Sequence, residues 1–472
     1  MLFNGIDLKP YIRIIDIRGR GIINRQVNAI AVEGMDGEHF SSVDTPSKYL
    51  EVDIEIRAKE AAALREKIDE LNAILATEQP VPIVFPDEPD MTYYGTPEGS
   101  DEIGEYVHLS KHQGTIYIRR SDPFKYGPEL TADFPSDTVI VENPGTADAD
   151  PIFELTAKEQ TTFAMVSIGE EYMMVGRPYD ESEQPTSQYD TVFADNASSL
   201  VGWSAIPGGS NLDEGVVGGN MATNGYAFYA ESFGTNPNGW VGPAVKKSLS
   251  RSIQDFRMTM DLELLNRQGN VGKVVVSLLD ASDNVIASVQ MLDATNSAWR
   301  NRAIIRAGSG ANAVDILNHA PERGGWNDFR GVLRIERIGN EFRAYVARVV
   351  NGRHTGRLNR TYLDTLGQFQ TPVSQVRVYI AKARNYEPFP MFFHGGNVWE
   401  VIDLNENQVP YIAHPGDVIE FNHKTGDVYI NGEPVPFDFG ADFFKLQPGE
   451  NTLVVHPDDT FDTTVKFRPR YR

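Results

Sequence analysis

The sequence predicts a mainly β protein built from several sandwich-like units with a single helix. Three observations carry this. Apolar and polar residues alternate with period two in many short runs, as in Leu50, Val52, Ile54 and Ile56 against Glu51, Asp53, Glu55 and Arg57. Glycine (41) and proline (28) punctuate those runs without repeating. Only one stretch, Lys59 to Thr77, has helical spacing: Leu64, Ile68, Leu71 and Leu75 fall on one face, Ala61, Ala62 and Ala63 add propensity, and Pro80 and Pro82 prevent continuation.

A chain of 472 residues has room for two to four domains. Its net charge of −23 argues against nucleic acid and against anionic membranes as partners. With no cysteine there is no disulfide, thiolate metal site or cysteine nucleophile. The first residues lack the apolar core of a signal peptide, and no run reaches membrane-spanning length. Action outside a cell would then require release by lysis.

In chain order, residues 1–58 read as strands, with a turn at Gly19 and Gly21 and a loop at 33–37. After the helix, residues 80–113 are rich in proline and acid and read as an exposed loop or an arm reaching a neighbouring subunit. His108 and His112 have helical metal-ligand spacing, but Val107, Leu109 and Gly114 suggest strand and turn instead. Ile116 and Ile118 continue a strand that Asp122-Pro123 stops, leaving Phe124 and Tyr126 at a rigid corner before Gly127-Pro128. Residues 128–150 read as a linker, and β patterning restarts at Ile152.

From 190 to 397 the pattern is that of a jelly-roll sandwich: Phe256, Met258, Met260, Leu262 and Leu264 alternate, and Val332–Ile338 and Phe342–Val346 flank a Gly339-Asn340 turn. Residues 398–472 are dense in strands and hairpins, with Val418–Phe421 and Val428–Ile430 either side of a turn containing Gly426.

Two stretches carry a family resemblance. The strand closed by Asp122-Pro123-Phe124-Lys125-Tyr126 resembles the end of the first domain of siphophage distal tail proteins (Dit). The hairpin Asp427-Val428-Tyr429-Ile430-Asn431-Gly432, the loop Phe437–Phe444 and Leu446-Gln447-Pro448-Gly449-Glu450-Asn451-Thr452-Leu453 resemble, in order and spacing, that family's C-terminus. The resemblance implies a ring-forming N-terminal β domain (1–145), a galectin-like β-sandwich split between 146–188 and 398–472, and an inserted domain (189–397) like a carbohydrate-binding module. It further implies a homo-hexameric ring at the distal end of a virion tail, made in the host cytoplasm. Its partners would be the major tail protein, tail-associated and receptor-binding proteins, and host cell-wall polysaccharide.

Sugar rings stack on aromatic faces while amides, carboxylates and guanidinium groups bind their hydroxyls. The saccharide-binding candidates are therefore Trp240 with Asn238, Trp299, and Trp326 with Arg323, Asn327 and Asp328; Trp203 reads as core. For each tryptophan, filling the core is the competing reading. A structural calcium in the insert is conceivable from the Asn and Asp content of its turns, although no D-x-D-x-D-G loop is present. No hydrolase, metalloprotease or nucleotide-binding motif occurs, which favours a binding or structural role over catalysis. The alternatives are an insert that docks fibres or neighbouring subunits, and a glycan-degrading virion enzyme.

Overall fold

The computed structural model describes residues 1–472 except 23, 35, 107–109, 213–214, 237, 268, 298 and 322–323, and except the side chains of 102–106. The architecture is mainly β with one α-helix.

The first sheet has the order Ile6–Asp7, Leu2–Phe3, Val81–Phe85, Glu88–Tyr106, Lys111–Arg120, Lys48–Arg57 and Arg13–Arg18. Alternation turns Leu50, Val52, Ile54, Ile116 and Ile118 to one face. The helix Ala61–Leu75 covers that face by burying Leu64 and Leu71, with Ile68 and Leu75 at the margin. Most of the described residues of 80–113 lie in the strands Val81–Phe85, Glu88–Tyr106 and Lys111–Arg120, and not in the expected exposed loop. Register shifts between Pro97 and Gly99 and between Glu102 and Gly104 interrupt the pairing, which hides the long strand from a period-two reading. Of the His pair, His112 lies in the strand Lys111–Arg120, opposite Ile56, while His108 is outside the described residues.

At the corner, the Asp122 carboxylate accepts the Phe124 N–H at 3.0 Å and the Tyr126 hydroxyl. Lys125–Tyr126 pairs with Arg470–Tyr471, so the last strand described returns to the first sheet. Arg470 lies 4.3 Å from the Phe124 ring centroid, and Arg468 lies 5.5 Å from that of Tyr126.

The next unit packs a six-stranded sheet (Leu130–Asp133, Phe461–Phe467, Ile152–Ala157, Val418–Asn422, Asp427–Ile430, Glu433–Val435) on a four-stranded one (Thr138–Asn143, Gly449–His456, Phe163–Ile168, Glu171–Gly176). Phe153, Leu155, Val166, Phe421, Leu453 and Val465 fill the space between. The stretch 128–150 therefore is not linker throughout. Leu130–Asp133 and Thr138–Asn143 are edge strands, and an edge strand with one neighbour and one buried side needs little apolar patterning.

The third unit is a larger β-sandwich. Its eight-stranded sheet runs Asn220–Thr223, Phe228–Ser232, Met391–Val401, Phe256–Leu264, Phe329–Ile338, Glu341–Val350 and Arg353–Leu363, with Tyr189–Asp195 also on Met391–Val401. The ten-stranded sheet is centred on Val373–Ala383, Gly272–Leu279, Val285–Asp293, Arg302–Ala307 and Val314–His319. Met258, Met260, Leu262, Val274, Val276, Val289, Leu333 and Val378 form the core between them.

The second and third units are clamped together. Arg334 donates to both Glu433 oxygens, at 2.7 and 2.6 Å, and Arg353 pairs with Glu420 at 2.5 Å. His354 N–H donates to the Gly432 carbonyl at 3.0 Å. Gly432 has φ +77°, and a Cβ there would lie 2.0 Å from the Gly352 carbonyl oxygen, so glycine is required for both reasons.

Candidate saccharide-binding face

The candidate residues gather at one end of the large sandwich, where its loops interlock. Asn327 accepts the Asn301 N–H at 3.0 Å and donates to the Trp299 carbonyl at 2.7 Å. Asn266 donates to Asp293 at 2.8 Å and accepts the Asp328 N–H at 3.0 Å. Arg384 N–H donates to the Gly239 carbonyl at 2.8 Å, which ties in the loop bearing Asn238 and Trp240.

Within this rim the six described candidates differ. Trp299 is 48% exposed, and its backbone is fixed by Asn327, so it alone presents an open aromatic face. Trp240 is half-buried, with the Lys273 ammonium 4.5 Å from its ring centroid. Asn238 is exposed, its N–H held by Asn236. Trp326 is not an exposed platform: it is 4% exposed, packs edge-on against Phe329, and donates its indole N–H to His319 at 3.1 Å. Asn327 spends its amide inside the loop network described above. Asp328 is paired with Arg267 at 2.7 Å. Arg323 lies outside the described residues. Trp203 packs against the core and donates to Asp195 at 3.0 Å, as its sequence neighbours predict. Among the described residues no cluster of His, Asp and Glu is arranged to hold a metal.

A second set of residues escaped sequence reading. On the outer face of the ten-stranded sheet, facing away from the core, stand Lys273, Ser277, Ser288, Gln290, Arg377 and Tyr379. Alternation places them there, since Val274, Val276, Val289 and Val378 point inward. An outer face is normally wet, yet all six are at most 4% exposed. A cover lies over part of this face: Ile206, Leu212 and Val217 pack with Val275, Tyr379, Ala381 and Trp240, and Tyr379 donates its hydroxyl to the Val216 carbonyl at 3.1 Å. Arg377 donates to Ser277 at 3.3 Å. Beside the cover lies a cleft of about 400 Å³ lined by Ser210, Asn211, Lys246, Asp283, Asn284 and Arg377. Within it Lys246 pairs with Asp283 at 2.5 Å, and Gln375 donates to the same oxygen at 2.9 Å. Amides, hydroxyls, a carboxylate and cations converging on a recess of this size suit a polyhydroxylated ligand.

Paired carboxylates do occur, on the other sheet. Asp261 and Glu263 are two apart on one strand, with Arg330 bridging them at 3.3 and 3.1 Å and His394 at 2.7 Å from Glu263. Burial raises the Asp261 carboxyl above its usual range, with Arg330 pulling it back.

Two family models match the two flanks of the chain. Residues 6–118 match the phage tail protein RIFT-related domain, and residues 390–471 match the C-terminal domain of the siphovirus-type tail component. The large sandwich fills most of the interval between them. Both flanks of the chain are thus similar to siphophage tail components, and the large sandwich is inserted between them. The chain is 34% identical over 164 residues to the distal tail protein of Bacillus phage SPP1, a match that spans 34% of this chain and 64% of that relative. Among solved structures it is similar to the SPP1 protein, described as a hub of the adsorption apparatus in phages infecting Gram-positive hosts (29% identity, TM-score 0.35, 37% of this chain and 73% of that one). It is also similar to the CBM2 module of the evolved Dit of Lactobacillus casei BL23 phage J-1 (15% identity, TM-score 0.40, 46% of this chain and 99% of that one).

Proposed function

We infer that this protein forms a homo-hexameric ring at the tail tip, joining the major tail protein to the tail-associated and receptor-binding proteins, and that its inserted sandwich binds host-wall saccharide. The two flanking family matches support the first part, and the class they define is structural, so the role read here is binding and not catalysis. The ring would be assembled in the host cytoplasm from the domain at residues 1–145. The galectin-like unit would be split around the insert at 189–397.

The observation that carries the saccharide reading is the polar cleft beside the covered row on the ten-stranded sheet. Ser210, Asn211, Lys246, Asp283, Asn284 and Arg377 bring hydroxyl, amide, carboxylate and cationic groups to one recess of about 400 Å³. A weak site of this kind, repeated around a ring, gains apparent affinity through multivalency without new contacts.

The test is sedimentation of the full-length protein with purified Gram-positive cell walls, alongside Trp299→Ala and Asn211→Ala, a substitution in the lining of the cleft. The expected result is saturable binding, competed by soluble wall saccharide and weakened about tenfold or more by at least one substitution, the loss of one good polar or stacking contact. Absence of binding across a broad panel of walls, or indifference to both substitutions, would overturn the saccharide reading and leave the ring assignment standing.

A further inference from the structure

The outer face of the eight-stranded sheet holds a concentration of positive charge that the saccharide reading does not use. Register aligns Arg257, Glu336, Arg343 and Thr361 in one row across four strands, and Arg334, Tyr345 and Asn359 in the next. The turn carrying Glu433 and Pro434 closes over these rows from the neighbouring unit and leaves a cleft of about 250 Å³. Five arginines line it: Arg257, Arg334, Arg343, Arg357 and Arg360.

Only two carboxylates line the same cleft, and both are engaged. Glu433 holds Arg334, while Glu336, 3% exposed, receives Arg257 at 2.7 Å and lies 3.6 Å from Arg343. Arg343 also reaches Glu341 at 2.6 Å. Arg357 and Arg360 pair with no carboxylate among the described residues; Arg360 donates to the Asn359 carbonyl at 2.8 Å. Collecting unpaired guanidinium groups is costly through like-charge repulsion, and it is unexpected in a chain of net charge −23. Walls of low dielectric focus that potential into the cleft.

We propose that this cleft binds a phosphodiester group carried by a polyol- or sugar-based polymer. Arg357 and Arg360 stand on one strand, uncommitted to any carboxylate among the described residues, and the engaged guanidinium groups of Arg257, Arg334 and Arg343 add positive charge from three others. That arrangement satisfies a tetrahedral oxyanion better than a planar carboxylate, which one fork saturates. Asn359 and Thr361 add an amide and a hydroxyl beside the arginines for the neighbouring hydroxyls. The site lies on the opposite sheet from the recessed polar row, so it stands or falls independently of the saccharide reading.

The experiment is calorimetric titration of the full-length protein at low ionic strength with glycerophosphoglycerol, and with glucuronate as a carboxylate of comparable size. The Arg357→Gln/Arg360→Gln double variant is titrated in parallel; both residues are exposed, and its thermal midpoint should equal that of the parent. The expected result is saturable diester binding, about tenfold or more weaker for glucuronate and for the double variant. No saturable diester binding, equal binding of glucuronate, or an undiminished affinity in the double variant would each overturn the proposal.

Discussion

His423 should make the smaller sandwich sensitive to mild acid. Its ring is 7% exposed and sits among Phe153, Phe443 and Phe444, whose ring centroids lie 5.4, 5.3 and 4.2 Å away. The Nδ1–H donates to the Phe444 carbonyl at 3.0 Å, while Nε2 is buried without a partner, so the neutral ring fits and the imidazolium does not. Burial pushes its pKa from 6.5 down to about 4, against a small opposing pull from the Phe444 carbonyl. Because the unfolded chain binds this proton more readily, the stability contributed is present above pH 6.5 and is lost as pH falls toward 4. That window corresponds to about 3 kcal/mol in full, and about 2 kcal/mol is already lost by pH 5. The comparison is His423→Gln, whose amide can still donate to Phe444 but does not titrate. Hydrogen exchange of the strands Val418–Asn422 and Gly449–His456, corrected for intrinsic rates, would be read at pH 7.5 and pH 5. The parent should lose about 2 kcal/mol more protection than the variant over this interval. Equal losses in the two proteins, or a His423 resonance titrating near 6.5, would refute the reasoning.

The other expectations concern packing and the clamp. Trp326→Ala should destabilise the large sandwich by about 3–5 kcal/mol in chemical unfolding, as removal of a buried aromatic does, whereas Trp299→Ala should stay within about 0.5 kcal/mol. Arg334→Ala should cost about 1–3 kcal/mol, seen as earlier uncoupling of the two sandwiches in calorimetry; the value is reduced because Glu433 retains 30% side-chain exposure. Gly432→Ala must place a methyl group against the Gly352 carbonyl at positive φ, so it should destabilise by about 2 kcal/mol or more and speed limited proteolysis between the units.

What the sequence discloses depends on how regular the local pattern is. Phe256–Leu264 alternates without a break and is buried at every second residue, and the helix stripe at Leu64 and Leu71 is likewise found in the core. Glu88–Tyr106 is equally real but contains two bulges, each of which interrupts the pairing. The edge strands Leu130–Asp133 and Thr138–Asn143 are masked by the polar residues that edges tolerate. At the site, Trp299 and Trp326 have the same kind of loop neighbourhood, and only tertiary contact makes one a surface and the other a core residue. The polar row was visible as Lys273, Ser277, Ser288 and Gln290 at even spacing, but that is also how an ordinary wet face reads. Part of this face is covered by Ile206, Leu212 and Val217, brought in from far away in sequence.

The point where the large sandwich joins the rest of the chain has a further consequence. The chain enters through Tyr189–Asp195 and leaves through Met391–Val401, and these two strands lie side by side, with Ile402 N–H donating to the Gln188 carbonyl at 2.8 Å. Two chain ends already within hydrogen-bond reach can be bridged directly. Removing or exchanging everything between them leaves a junction that needs no new loop and almost no closure entropy. The fold thus offers a fixed socket in which one sandwich can be swapped for another while the flanking units keep their own pairings. The insert could thereby be exchanged in evolution as a single block.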